Sequence, residues 1–190
     1  MSIILSHTPV PAQSRYELYC RKDLLQLSAK VMLSQVGVTE SANNSGDSIR
    51  QYQLSVGLPD HSPYCAAGQY YCFASAVSML NINKSEIPIP RTGLANVIFN
   101  YAMVNGKRTH YKASEHDLIV WRKVNSIHGH VERVVSVYAK GWVKTVGFNT
   151  SSTIAGRRAE GVFLQKRNIC HPLGKMKIRG IIGFTDRSVL

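Results

Sequence analysis

The sequence predicts an α+β fold in which helices from the first part of the chain pack on an antiparallel sheet built from the second. Two observations carry this. Apolar residues recur at helical spacing as far as about position 106, and from about position 117 they give way to short β-branched runs. No internal repeat or low-complexity linker divides the 190 residues, so a single domain over 1–190 is expected, with a helical half at about 15–106 and a sheet half at about 117–185.

The elements follow in order. Ser14-Arg15-Tyr16-Glu17 has the form of a capping box, and Leu18, Leu24, Leu25, Met32 and Leu33 then recur at near-helical spacing before Gly37. This predicts a first helix over 15–36. A polar loop over 39–47 leads to a second helix with Ile49, Tyr52 and Val56 on one face and Gly57 at its end. The turn Leu58-Pro59-Asp60-His61-Ser62-Pro63 precedes an Ala-rich third helix, 64–80, whose Phe73, Ala76, Val77 and Leu80 share a face. After Pro88 and Pro90, Leu94, Ile98, Tyr101 and Ala102 mark a fourth helix closed by Gly106. Strands are expected at 118–121, 131–138, 142–148, 162–165 and 178–184.

Composition excludes several classes. With 44% hydrophobic and 18% charged residues the chain resembles a compact domain, and a globule of this length buries roughly 70% of its unfolded surface without needing a disulfide or metal staple. No apolar run approaches the roughly 20 residues of a membrane span. Ile3, Ile4 and Leu5 have no basic residue before them and read as too short for a secretory signal. Cysteines at 20, 65, 72 and 170 form no C-x-x-C pair, and Cys170-His171 are adjacent, so neither a structural zinc site nor any other metal or cofactor is expected.

Lys plus Arg number 23 against 11 Asp plus Glu, a net charge of +12 that favours polyanionic partners. The basic residues are scattered in pairs such as Arg122-Lys123 and Lys166-Arg167, without the long block of a nucleic-acid tail. A solvated basic surface explains the charge equally well.

Cys65 stands where a turn ends and the Ala-rich helix begins, a place where free backbone N–H groups and the helix dipole favour a thiolate nucleophile. Most free cysteines are inert small hydrophobes, and Cys72 on the same helix fits that role better. His130, in His128-Gly129-His130-Val131, opens a strand and is the candidate base, with His128 as its local competitor. Asn149 ends the next strand, where its amide could orient the imidazole, although Asn in Phe148-Asn149-Thr150-Ser151 is more often a turn residue.

In that order, Ser62-Pro63-Tyr64-Cys65-Ala66-Ala67, Asp117-Leu118-Ile119-Val120-Trp121, Gly129-His130-Val131 and Gly147-Phe148-Asn149-Thr150 resemble the CHAP and NlpC/P60 group of papain-like cell-wall amidohydrolases. The resemblance extends to Gly37-Val38-Thr39-Glu40, 52–57 and 161–167 and so spans most of the chain. It implies Cys65 as nucleophile, His130 as base and Asn149 as third polar residue, on a papain-like helical lobe packed against an antiparallel sheet. Two positions depart from the pattern: the Gly usual before the strand Asp is His116, and the small residue usual after His-Val is Glu132. Strand alternation puts Glu132 on the His130 side, where a carboxylate could tune the imidazole, while an exposed Glu balanced by Arg133 is an equal alternative.

The function implied is hydrolysis of peptidoglycan amide bonds, by an endopeptidase or N-acetylmuramoyl-L-alanine amidase of phage lytic type. The positive charge would help to hold the enzyme on an anionic cell-wall polymer. Without a signal peptide, it would reach the wall through lysis-linked release, particle delivery or dedicated secretion. Two other readings stand beside it: a thiol acyltransferase using the same thioester, and a basic non-catalytic structural or binding protein of a phage particle. Aromatic and basic residues interleaved over 142–144 keep the binding option open.

Overall fold

The computed structural model describes residues 13–186, and the Ile3–Leu5 stretch lies outside them. It is an α+β structure of four α-helices on a seven-stranded sheet. The elements are β1 (Ser14–Tyr19), α1 (Lys22–Ser34), α2 (Asp47–Val56), α3 (Cys65–Leu80), α4 (Ala95–Asn105), β2 (Lys107–Thr109), β3 (Leu118–Lys123), β4 (Gly129–Val137), β5 (Trp142–Ile154), β6 (Arg157–Asn168) and β7 (Met176–Thr185). The strands run in the order β2-β1-β7-β3-β4-β5-β6.

The second, third and fourth helices and all five expected strands lie where the sequence predicts them. The start of the first helix does not. Ser14–Glu17, read as a capping box, belongs to β1, and the helix begins only at Lys22, with no side-chain cap at Arg21. β1 alternates: Tyr16 and Leu18 pack with the helices, while Arg15 reaches across β7 to Asp117, just ahead of β3, through two bonds of 3.1 Å and donates to Thr109 of β2 at 2.9 Å. That buried anchorage and the β7 ladder outweigh any local helix signal. β1 also pairs with β7 in parallel, so the sheet is mixed rather than wholly antiparallel.

Helices cover one face of the sheet. Leu24 of α1, Phe73 and Ala76 of α3, and Ile98 and Phe99 of α4 meet Leu118, Val120, Val131 and Ile182. Met32, Ile49 and Tyr52 meet Val146, Phe148 and Val162 further along. Gly68 lets the Phe148 ring lie directly on α3, since a Cβ there would be built into the ring. Arg133 crosses this layer fully buried, with Phe73 below its guanidinium, and donates to Ser28 Oγ and the Leu25 carbonyl of α1 at 3.0 Å each.

The other face has no helix among the described residues. Ile119, Trp121, Val134, Val143 and Ile181 are covered there by the segments around Tyr111–Ala113 and 169–176. His130 and Glu132 belong to this second face, at the end of β4 nearest the start of α3.

Candidate active site

Cys65 is the first residue of α3. Tyr64 before it provides no side-chain cap, so the first N–H groups of the helix have no intrahelical partner. Tyr64 is itself buried and donates its hydroxyl to Glu40 Oε1 at 3.0 Å, which ties the helix start to the 39–46 loop. The Cys65 Sγ lies 3.9 Å from the Gly129 carbonyl, where β4 begins. The next residue is His130, whose ring lies close enough to Cys65 for the thiol to raise its basicity.

Glu132 is the group that holds the other side of that ring. Its Oε1 is 3.1 Å from His130 Nε2, which leaves Nδ1 for the thiol. The carboxylate is fully buried and its remaining capacity is filled: Thr145 Oγ1 donates at 2.6 Å, and Arg167 donates from Nε at 3.0 Å and from Nη2 at 2.7 Å. Trp121, opposite His130 on β3, keeps its ring centroid 6.1 Å from the imidazole. The imidazole is therefore fixed by a carboxylate that is itself fixed.

Burial alone would push His130 down, but its interactions with Cys65 and Glu132 outweigh burial and raise it to about 10. For Glu132 burial acts upward, and His130 and Arg167 together outweigh it, holding the carboxyl at about 2. Both shifts favour the charged forms, as expected of a paired and hydrogen-bonded buried ion pair. By contrast, burial pushes the Cys20 and Cys72 thiols up to about 12, which suits packed, unreactive sulfurs.

The structure brings Cys65 and His130 together but does not bring Asn149 to the imidazole. Asn149 sits at the bulge between Phe148 and Thr150 with a left-handed φ of 53°, and its Nδ2 donates to Asn44 Oδ1 at 2.7 Å and Glu40 Oε1 at 3.3 Å. It fastens the 39–46 loop to β5. His130 and Asn149 nevertheless line one open cleft of about 350 Å³, with Thr150, Ser151 and Arg158 further along it. His128 is exposed on the preceding turn, where its carbonyl accepts from Asn96 Nδ2 at 3.2 Å.

Sequence reasoning weighed Glu132 because strand alternation places it beside His130, but it missed Thr145 and Arg167. Arg167 was one of many basic pairs, and nothing in its local sequence marks it. Gly147 was a usable signal: it pairs with Glu132 across β4 and β5, and a Cβ there would stand 2.8 Å from Glu132 Oε1. His116 departs from the expected glycine yet keeps a φ of 73°, the backbone region that glycine adopts freely. Asp117 after it accepts from Arg15 and from the Ser114 N–H, with burial pushing its carboxyl up to about 6 against those bonds.

Among the described residues, no cluster of three or more His, Cys, Asp or Glu side chains is placed to hold a metal ion. No helix among them is long and apolar enough to cross a membrane. No protein-family model matches the chain, and no match is found among curated proteins or solved structures.

Proposed function

We propose that this chain is a papain-like cysteine amidohydrolase that cleaves amide bonds of peptidoglycan, with Cys65 as nucleophile, His130 as base and acid, and Glu132 as the positioning carboxylate. The observation that carries the chemistry is the contact of Cys65, at the start of α3, with an imidazole whose Nε2 is bonded to a buried, arginine-paired carboxylate. The choice of substrate is supported by the order of the motifs around Cys65, Asp117, His130 and Gly147, by the glycine-like backbone kept at His116, and by the net charge of +12.

The mechanism follows from these positions. His130 holds the Cys65 proton as the imidazolium that its raised basicity favours, and the sulfur forms a bond to the amide carbonyl carbon. The oxyanion is met by backbone N–H groups at the start of α3, including that of Cys65. The C–N bond then breaks as His130 gives its proton to the leaving amine. Water, deprotonated by His130, attacks the thioester, releasing a carboxylate and restoring the thiol. Glu132 keeps one ring nitrogen engaged throughout and stabilises the imidazolium.

Digestion of purified peptidoglycan followed by mass analysis of the fragments tests this reading. The wild type should release fragments that differ by hydrolysis at one kind of amide bond, and Cys65→Ser should be slower by roughly 10³-fold or more. Wild-type-like digestion by Cys65→Ser would end the thiol mechanism. Intact peptidoglycan together with rapid, Cys65-selective alkylation by iodoacetamide would overturn the substrate and leave the thiol chemistry standing.

A further inference from the structure

The β5–β6 hairpin carries a second and larger cleft, of about 680 Å³. Thr145 and Arg167 of these strands turn toward Glu132, so Lys144 and Lys166 beside them turn to the opposite side. There they are direct cross-strand partners. Lys140 adds a third ammonium, and Tyr138, Trp142 and Leu164 supply an exposed apolar surface between the charges.

The positive charge of this cleft is uncompensated. No acidic side chain lines it, and none of its three lysines forms an ion pair among the described residues. Like charges directly opposite on a sheet also repel, so the Lys144–Lys166 pair weakens the hairpin until an anion lies between them. An anion bound there relieves this repulsion. Binding gains what folding loses.

The apolar surface narrows the choice of anion. A single-stranded nucleic acid needs successive aromatic faces for its bases. Trp142 already has the Lys166 ammonium 5.0 Å from its ring centroid and His171 against its edge at 5.7 Å. Among the described residues, Tyr138 is then the one ring in the cleft without a ring or cation partner, too little for a run of bases. A sugar ring needs only one such surface, because its C–H face packs on an aromatic or aliphatic side chain while its substituents remain in water. We propose that this cleft binds an acidic polysaccharide, with sugar faces on Tyr138 and Leu164 and acidic groups on Lys140, Lys144 and Lys166. The proposal stands apart from the hydrolase reading, since the cleft and Cys65 occupy different places.

Binding of end-labelled oligogalacturonate, neutral maltodextrin and oligothymidylate of matched length to the full chain, at one salt concentration, tests it. Oligogalacturonate should bind, maltodextrin should not, and oligothymidylate should bind more weakly than the acidic sugar. Lys144→Glu with Lys166→Glu, and separately the neutral pair Lys144→Gln with Lys166→Gln, should each weaken oligogalacturonate by about 10-fold or more. Tyr138→Ala should weaken it as well, whereas reversing the exposed Lys22 and Lys30 of α1 should leave it unchanged. An unchanged rate of Cys65 alkylation shows that each variant is folded, and Cys65→Ser should bind as the wild type does. Tighter binding of oligothymidylate would make this a nucleic-acid site. Equal losses on reversing Lys22 and Lys30 would reduce it to diffuse charge, and no binding of oligogalacturonate would remove it.

Discussion

Glu132 is buried without exposure yet ionised, which is possible only because His130, Thr145 and Arg167 all donate to it. Removing its charge must therefore disturb the imidazole more than truncating a side chain elsewhere in the cleft. Glu132→Gln is expected to lower kcat by roughly 10-fold to 10³-fold, and to move the alkaline limb of the rate profile downward because the imidazolium loses its counter-charge. A merely structural carboxylate would change stability and leave that limb in place. Asn149→Ala should do the reverse. Its partners are Asn44 and Glu40, so its loss should lower the melting temperature by loosening the 39–46 loop and leave the pH limbs of the rate unmoved. A kcat loss in Asn149→Ala as large as in Glu132→Gln would return the orienting role to Asn149.

At the scale of the elements, the helix–sheet contact that sets the thiol position depends on a missing side chain. α3 is covered on nearly all sides, and at Gly68 the Phe148 ring of β5 occupies the place of a Cβ. Gly68→Ala should destabilise the protein by about 1–3 kcal/mol, the usual range for overpacking, although alanine is the better helix former. Paired with Phe148→Leu, the loss should be smaller than the sum of the two single changes, which denaturant unfolding of the four proteins would measure. Strict additivity would mean that the contact does not decide the packing.

The same elements show what the sequence made legible. α2, α3 and α4 are bounded by Gly57, Pro63 and Gly106, strong local stops, and could be placed closely. β1 is not legible locally because Ser14-Arg15-Tyr16-Glu17 satisfies a capping pattern as well as a strand alternation, and its partners β2 and β7 lie far along the chain. The outer half of the β5–β6 hairpin is polar and carries no apolar period. Its turn, Ala155-Gly156, has φ of 48° and 77° and fits the two-residue hairpin class, although Ala-Gly is not a strong turn signal. The Cys65–His130 contact could be expected from a helix start and a strand start. The Arg167 contact to Glu132 could not, since it depends on register across three strands.

For the whole molecule, the buried ion pair makes stability depend on pH from both sides. Glu132 titrates at about 2 in the fold against an ordinary 4.5, so its contribution is complete above 4.5 and is lost as the pH falls toward 2. His130 titrates at about 10 against an ordinary 6.5, so its contribution is complete below 6.5 and is lost as the pH rises toward 10. Both are fully present only between 4.5 and 6.5. Asp117 works against this at the acid end: burial raises it from 3.8 to about 6, so the fold loses stability as the pH rises through that interval. A melting curve of the wild type alone mixes the two effects. Subtracting the curve of Glu132→Gln separates them, because Asp117 and Arg15 are unchanged in the variant. The difference in melting temperature should be largest at pH 4.5–6.5 and shrink toward both pH 2 and pH 10. On the plateau it should correspond to about 3–5 kcal/mol, the range for breaking a buried pair and leaving Arg167 and His130 without their carboxylate. A difference that stays flat from pH 3 to pH 9 would mean that Glu132 is held by packing rather than by charge, and the account of how His130 is kept protonated would fall with it.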